Sequence, residues 1–350
     1  MATYRTRTIA EYEPILTCED PEIGFHAIIA IHNTDLGPAL GGCRLWHYES
    51  ERAALDDALR LARGMTYKAA VAGLPIGGGK AVIIGDPRRD KSPEMFRAFG
   101  RMVERLGGRY VTGEDVGTSV ADMELVRRET GHVAGIATGS GDPSPVTAAG
   151  VYHGLKAAVR HRFGGEDLQG LRVAVQGAGH VGYHLCRMLH AAGAELIVSD
   201  IFDRALERAV IEFGARAVSP GAIYGAAAEV FAPCALGASI NSDTVPRLRV
   251  GIVAGAANNQ LAESVDGLSL FRRGVLYAPD YVINAGGLIN VSWDVLHRDQ
   301  PYDRVAALAE VAKIDGTLSA LFERAACEGR PTHEIADAIA RDKLRVPVAA

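Results

Sequence analysis

Leu171-Arg-Val-Ala-Val-Gln-Gly-Ala-Gly-His-Val-Gly182, followed by Glu195-Leu-Ile-Val-Ser-Asp200, decides the fold class. Leu171 to Gln176 reads as a strand, and Gly177-Ala-Gly-His-Val-Gly182 is a complete G-x-G-x-x-G. Tyr183 to Ala192 has the pattern of a helix, and Glu195 to Ser199 that of a second strand ending in Asp200. A bare glycine pattern carries little information. Strand, glycines, helix, strand and an acid about 20 residues on make a specific dinucleotide fingerprint. The plain alternative, a glycine turn without a ligand, does not account for that full context. Gly177, Gly179, His180, Val181 and Gly182 then form the cradle, with a pyrophosphate on the outward N–H groups of the helix N-terminus. Asp200 is placed to accept hydrogen bonds from the adenosine ribose, which favours NAD over NADP. Arg204 is the competing feature, since it could reach a 2′-phosphate.

Strand and helix patterns continue outward from this motif. Strands are expected at Glu229 to Ala232, Val250 to Ala254 and Gly274 to Tyr277. Pro233-Cys-Ala-Leu-Gly237, Gly255-Ala-Ala-Asn-Asn259 and Asn284-Ala-Gly-Gly287 follow them, at ends that face the cofactor crevice of a doubly wound sheet. One long helical stretch is expected from about Tyr302 to Glu328, and a last helix from Pro331-Thr332 through Lys343. Upstream, Gly135 to Pro145 is rich in Gly, Ser and Pro and marks a domain boundary and a hinge. Ser144-Pro145 starts a helix running to about Arg162, with Thr147 in its first turn. The expected fold is α/β with two domains. Residues 1–138 form an α/β substrate and oligomerisation domain, onto which a C-terminal helix at about 330–350 packs back. Residues 139–329 form a doubly wound Rossmann domain for NAD.

In the N-terminal half, Phe25 to His32 alternates as a strand. Ala39-Leu-Gly-Gly-Cys-Arg44 holds a glycine pair suited to close backbone approach. Ser50 caps a helix to about Arg63, which leads into Gly64-Met-Thr-Tyr-Lys68. Leu74-Pro-Ile-Gly-Gly-Gly-Lys-Ala-Val-Ile-Ile84 places Lys80 after three glycines and before a strand-like run. A packed lysine is costly unless it is paired or its pKa falls, and a lysine of lowered pKa is a usable base. The plain reading is a glycine turn with a solvated lysine. A phosphate-binding Walker loop needs glycine where Leu74 stands and Ser or Thr where Ala81 stands. Ser92-Pro93 starts a helix that Gly107-Gly108 stops. Arg109 to Thr112 reads as a strand opening onto Gly113-Glu-Asp-Val-Gly117, and a helix follows near Val120 to Glu129. Asp115 at that strand end is a site candidate or a turn residue.

Composition excludes several classes. Hydrophobic residues make up 48% and charged residues 23%, which describes a globular chain. A net charge of −5 without a basic stripe argues against nucleic acid. Met1 to Pro14 lacks an apolar signal-peptide core, and no run approaches a membrane span. Cys18, Cys43, Cys186, Cys234 and Cys327 form no C-x-x-C pair, which fits reduced thiols in the cytoplasm. No histidine spacing suggests a metal site.

Taken together, these motifs resemble the amino-acid dehydrogenases of the glutamate, leucine, phenylalanine and valine type. The resemblance runs from about Ile28 to Gly329 and includes Gly37 to Gly42, Gly64 to Lys68, Leu74 to Lys80, Glu114 to Gly117, Pro143 to Thr147, the fingerprint, Pro233 to Gly237, Ala256 to Asn259 and Ala278 to Gly287. It implies oxidative deamination of an L-amino acid by NAD and water to a 2-oxo acid, ammonium and NADH. Lys68 resembles the lysine that binds the substrate carboxylate, and Lys80 the base that handles the amine and activates water. Two neighbouring ammonium groups would depress each other's pKa. Asp115 resembles the proton-shuttling carboxylate, Asn259 the group that positions substrate, and Thr147 the one that holds the carboxamide. Gly41, Gly42 and Met65 are further implied substrate neighbours, and Ala235, Leu236, Ala257, Asn258 and Asn284 further implied cofactor neighbours. A homo-oligomer of at least a dimer is implied; the tail after Arg341 looks short for the octamer of leucine dehydrogenases.

Glutamate-specific members resemble this chain but carry lysine where Leu40 stands, so an apolar substrate is implied. The side-chain pocket implied by resemblance is lined by Leu40, Gly113, Leu288 and Val291. Leucine and valine enzymes usually show alanine at the place of Gly113 and valine at that of Leu288, whereas phenylalanine and tryptophan enzymes resemble this chain at both. Leucine and aromatic preference both stay open, because Gly113 also suits a tight turn. Ser292-Trp-Asp-Val295 departs from the usual Ala-Asp-Glu-Leu. Two other readings compete: a different Rossmann oxidoreductase, such as a 2-hydroxy-acid dehydrogenase, and an NAD-binding protein without catalysis. Neither explains the joint presence of Lys68, Lys80 and Asp115.

Overall fold

A computed structural model describes residues 2–137 and 139–345. Position 138, at the expected domain boundary, and 346–350, at the end of the expected last helix, lie outside the described residues. The chain forms two compact units. The first comprises the chain up to Asp142, Asn290–Arg304 and the segment from Ala340; the second comprises Pro143–Ile289 and Val305–Ile339. This differs from the expected division at 139–142 and 290–304, which pack with the first unit, and at 330–339, which packs with the second.

The first unit runs β1 (Thr3–Arg7), β2 (Ile15–Asp20), β3 (Phe25–Asn33), β4 (Ala39–Leu40), β5 (Cys43–Trp46), α1 (Glu51–Ala72), β6 (Gly77–Ile84), α2 (Pro93–Glu104), β7 (Tyr110–Val111) and α3 (Val120–Arg127). Its sheet is ordered β1-β2-β3-β6-β4-β7, with β5 also paired to β6. β6 is therefore central, antiparallel to β3 and parallel to β4 and β5. Both faces of β3 and β6 are apolar because both are covered. Ile28, Ala30 and Val82 pack with Ala54, Leu55, Ala58 and Ala62 of α1. Ala27, Ile29, Ile31, Ala81 and Ile83 pack with Phe96, Phe99, Met102 and Val103 of α2. Each fully buried large apolar side chain contributes about 1.5–3 kcal/mol.

Two expectations change here. The glycines before Lys80 are not a turn but the first half of β6. A Cβ on Gly78 would meet the backbone N of Thr66 at 2.0 Å, and one on Gly79 the Tyr110 ring at 2.8 Å. Glycine is required there because α1 lies directly on the strand. Helix α1 itself does not stop near Arg63 but runs to Ala72, where Gly73 takes φ +72°. Gly64 faces open space, so it weakens the helix by about 1 kcal/mol without breaking it.

The second unit contains α4 (Ser144–Phe163), β8 (Arg172–Gln176), α5 (His180–Ala191), β9 (Glu195–Ser199), α6 (Asp203–Phe213), β10 (Arg216–Ala217), β11 (Val230–Pro233), β12 (Ile252–Val253), α7 (Ser264–Arg272), β13 (Leu276–Tyr277) and α8 (Asp280–Ile283). Its parallel sheet is ordered β10-β9-β8-β11-β12-β13. Counted within the unit, that is the 3-2-1-4-5-6 order of a Rossmann fold, with the reversal between β8 and β11. Then follow α9 (Gly286–Leu296), α10 (Arg304–Ala312), α11 (Ile314–Glu328) and α12 (Thr332–Arg345). The single helix expected over Tyr302 to Glu328 is two, broken at Lys313, whose N–H donates to the Glu310 carbonyl at 3.1 Å. The apolar pattern runs through this one tight turn, which hides it in the sequence. Asn284 does not follow a strand but joins α8 to α9.

Candidate active site

In the first unit, β6 delivers Lys80, which is 5% exposed. Its Nζ lies 2.8 Å from Oδ2 of Asp115. This ion pair, not a solvated turn, is what makes the buried lysine tolerable. Arg44 Nε sits 3.2 Å from the same oxygen. Arg44 in turn bonds Asp57 at 2.9 Å, and Tyr48 donates to Asp57 at 2.8 Å. Burial alone would raise the Asp115 carboxyl, but Lys80 and then Arg44 hold it below its ordinary value. Gly42 makes room for this residue, because a Cβ there would meet Glu114 O at 2.5 Å and Asp115 Cβ at 2.9 Å. The Asp115 N–H donates to Thr118 Oγ1 at 2.9 Å, which fixes the turn.

The other expected substrate residues of this unit lie on α1, on β4 and the glycines after it, beyond β7 and on the second half of α9. Half-buried Lys68 lies in the last turns of α1, two residues after Thr66, whose backbone packs on Gly78 of β6. Met65 is partly buried on the same helix. Leu40, 3% exposed, pairs with Gly78 in register. Gly41 sits against the Gly79 carbonyl, where a Cβ would come within 1.7 Å, and its own oxygen accepts from Tyr110. Gly113 is buried, and a Cβ there would lie 3.3 Å from the Ala134 carbonyl oxygen. Val291 belongs to this unit and Leu288 to the second.

In the second unit, Gly177 takes φ +96°, and a Cβ on Gly182 would strike the Gly177 oxygen at 2.0 Å. Gly179 precedes α5 and faces open space, and no side chain caps the helix. Helix α5 starts at His180, inside the motif rather than at Tyr183, so the first N–H groups of His180, Val181 and Gly182 point out of an uncapped end. Asp200 is anchored beside them: it accepts from the Ala178 N–H at 2.7 Å and the Phe202 N–H at 2.9 Å. Arg204 is exposed in the first turn of α6. Ala235 and Leu236 are exposed after β11, Leu236 at 83%. Ala257 is buried and donates to the Pro233 carbonyl at 2.9 Å. Asn284 is 4% exposed and donates to the Ala256 carbonyl at 3.0 Å and to Asn258 at 2.8 Å. Its Oδ1 is buried without a hydrogen-bond partner among the described residues. Thr147 donates to the Pro143 carbonyl at 2.9 Å, and bare Gly287 packs on its hydroxyl. Asn259 is exposed with φ +50°. A glycine cradle, an uncapped helix end, an anchored carboxylate and an orphan buried acceptor fit a dinucleotide. A cavity of about 180 Å³ includes Asn259, Asp280 and His333, whereas one of about 240 Å³ beside Phe271, Phe322 and Arg330 holds none of the expected residues.

Sequence reasoning missed Arg44, Asp57 and Tyr48. Arg44 follows the Gly41-Gly42 pair directly, which was the available signal. Asp57 stands among Arg52, Asp56 and Arg60 and reads as a solvated helix face.

Residues 13–132 match the family model for the Glu/Leu/Phe/Val dehydrogenase dimerisation domain, and residues 203–304 that for Glutamate/Leucine/Phenylalanine/Valine dehydrogenase. The fold and these matches thus define the class, an amino-acid dehydrogenase that uses a nicotinamide cofactor. Leucine dehydrogenase of Bacillus cereus is 54% identical over 95% of this chain and 91% of its own length. Phenylalanine dehydrogenase of Bacillus thermotolerans is 46% identical over 96% of this chain and 89% of its own. The crystal structure of L-tryptophan dehydrogenase from Nostoc punctiforme superposes with a TM-score of 0.83 at 46% identity, covering 95% of this chain and 96% of that one. The chain belongs to the glutamate/leucine/phenylalanine/valine dehydrogenase family.

Proposed function

We propose that this protein oxidatively deaminates an apolar L-amino acid with NAD and water, giving the 2-oxo acid, ammonium and NADH, and runs the reverse reductive amination. The observation that carries this reading is the buried Lys80–Asp115 pair at 2.8 Å, in a chain of this family. The residues of the second unit named above would hold NAD, which would supply the hydride acceptor for the substrate α-carbon. Lys68 pairs with the substrate carboxylate. Lys80, once its own proton has left through Asp115, takes the proton from the amine, hands it on through Asp115 to solvent, and only then takes one from the attacking water. Asp115, held ionised by Lys80 and Arg44, stabilises the cationic imine and relays protons. Asn259 orients the substrate. Thr147, the 177–182 loop, Asp200, Ala235, Leu236, Ala257, Asn258 and Asn284 hold the cofactor. The reading includes a homo-oligomer of at least two chains acting in the cytoplasm; no helix among the described residues is long and apolar enough to cross a membrane.

NAD is the expected cofactor because the Asp200 carboxylate, tied to the glycine loop, repels a 2′-phosphate. Catalytic efficiency with NAD should exceed that with NADP; equal efficiencies would show that Arg204 outweighs Asp200.

A substrate with a charged side chain is disfavoured, since buried Leu40 offers a carboxylate no partner. Leucine and phenylalanine differ at Gly113. Gly113→Ala needs only a few tenths of an ångström from the Ala134 carbonyl, so the variant is expected to fold. The added methyl should shift the leucine-to-phenylalanine ratio of kcat/KM toward leucine by roughly tenfold or more. Steady-state assays of both forms with L-leucine, L-phenylalanine, L-tryptophan and L-glutamate test this. Activity confined to L-glutamate would overturn the substrate class, and an unmoved ratio the role of Gly113.

A further inference from the structure

The wall beside Gly113 is held from a distance. Beyond β7, the Thr112 N–H donates to the His132 carbonyl at 3.0 Å, and the Ala134 N–H to the Thr112 carbonyl at 2.8 Å. This brings the Ala134 carbonyl oxygen to 3.3 Å from where a Gly113 Cβ would lie. The next N–H in the chain, that of Gly135, donates to Asp294 Oδ2 at 2.9 Å. A peptide unit is planar, with its C=O and N–H opposed. The grip of Asp294 on one end therefore aims the other end at Gly113.

The same carboxylate accepts from the Ser140 N–H, at 3.1 Å to Oδ1, and from the Ser140 hydroxyl, at 2.8 Å to Oδ2. Bonds to an ionised acceptor are the strong ones. Gly139 is bare where a Cβ would lie 2.8 Å from both Asp294 oxygens, which lets the loop close on the carboxylate. One turn earlier on α9, Asn290 donates to the Ser140 carbonyl at 3.2 Å and accepts from the Tyr302 hydroxyl. On the other side, the Gly113 carbonyl accepts from Cys43 at 2.8 Å, two residues before Asp115.

We propose that Asp294 is a positioning residue for substrate selection: through the Ala134–Gly135 peptide it fixes the wall of the side-chain pocket at Gly113 without touching the substrate itself. This rests on the reading of Gly113 as pocket lining. Asp294→Asn keeps the shape but turns an amide N–H or a neutral oxygen toward groups that all donate. The Ala134 carbonyl can then recede, which admits a larger side chain. The test measures kcat and KM for L-leucine and L-phenylalanine, with thermal midpoints, in the wild type, Asp294→Asn, Gly113→Ala and the double variant. Asp294→Asn should raise the phenylalanine-to-leucine ratio of kcat/KM by roughly fivefold or more, chiefly through KM. Gly113→Ala should shift the ratio less in the Asp294→Asn background, because the carbonyl now yields to the methyl. If Gly113→Ala moves the ratio while Asp294→Asn lowers only the midpoint, Asp294 is merely structural and the inference is overturned. If Gly113→Ala moves nothing, the pocket reading fails and takes the inference with it. Should Asp294→Asn not fold, Ser140→Ala removes a single donor and should move the ratio in the same direction by about twofold; an unchanged ratio there overturns the proposal equally.

Discussion

Replacing Lys80 by alanine is expected to lower turnover by roughly 10²–10⁴-fold, the range lost with a positioned acid–base group. NADH affinity should stay within about twofold, because the residues assigned to the cofactor all lie in the second unit and Lys80 in the first. The lost charge leaves Asp115 with Arg44 still 3.2 Å away, so the carboxylate is not stranded and the variant should remain folded. Stopped-flow binding of NADH and steady-state turnover separate the two effects. Lys68→Ala provides the contrast: if that lysine binds the substrate carboxylate, its loss appears mainly in KM. Near-normal turnover in Lys80→Ala would remove the base assignment.

The second large effect is expected from Asp115→Asn. Lys80 would keep its burial and lose its counter-charge. Removing one partner of a buried pair costs about 3–5 kcal/mol. Asp115 is 23% exposed and the amide retains one acceptor, so roughly 3 kcal/mol is expected here. The sign of the pH dependence follows from the direction of the shift. Lys80 and Arg44 outweigh burial and hold the Asp115 carboxyl below its unfolded value. The folded state therefore binds this proton more weakly than the unfolded state. The stabilisation is fully present above the ordinary carboxylate range, near pH 4, and is lost as pH falls through the lower folded value. Urea unfolding of the wild type and the variant should thus differ most at neutral pH and converge toward pH 3. A gap that is the same at both pH values would assign the stabilisation elsewhere. Turnover should fall as well, since an amide cannot relay protons or balance a cationic imine.

The Rossmann unit was legible because its signals are local. Strand, glycines, helix and Asp200 lie within about thirty residues, and each follows from backbone geometry that holds in any such fold. Of the central strand of the first unit only the second half, Ala81 to Ile84, was legible. A run such as Gly77-Gly78-Gly79 has no strand propensity, and its glycines answer to Thr66 on α1 and to Tyr110, partners that adjacency does not show. Lys80 and Asp115 came through as candidates by their place beside glycines and by family resemblance, but their pairing came only with the fold. Arg44 and Asp57 were lost for a related reason, since a charged helix face looks the same whether it is solvated or tied inward. The Ser140–Asp294 bond joins residues 154 positions apart, beyond any local pattern.

The central claim is an oxidative deamination that depends on Lys80, and the most direct measurement follows both products at once. Purified protein is incubated with NAD and L-leucine at alkaline pH, and NADH and released ammonium are quantified in the same sample. Equimolar NADH and ammonium, both abolished in Lys80→Ala, are the expected result. NADH formed without ammonium, or product yields indifferent to Lys80→Ala, would contradict it.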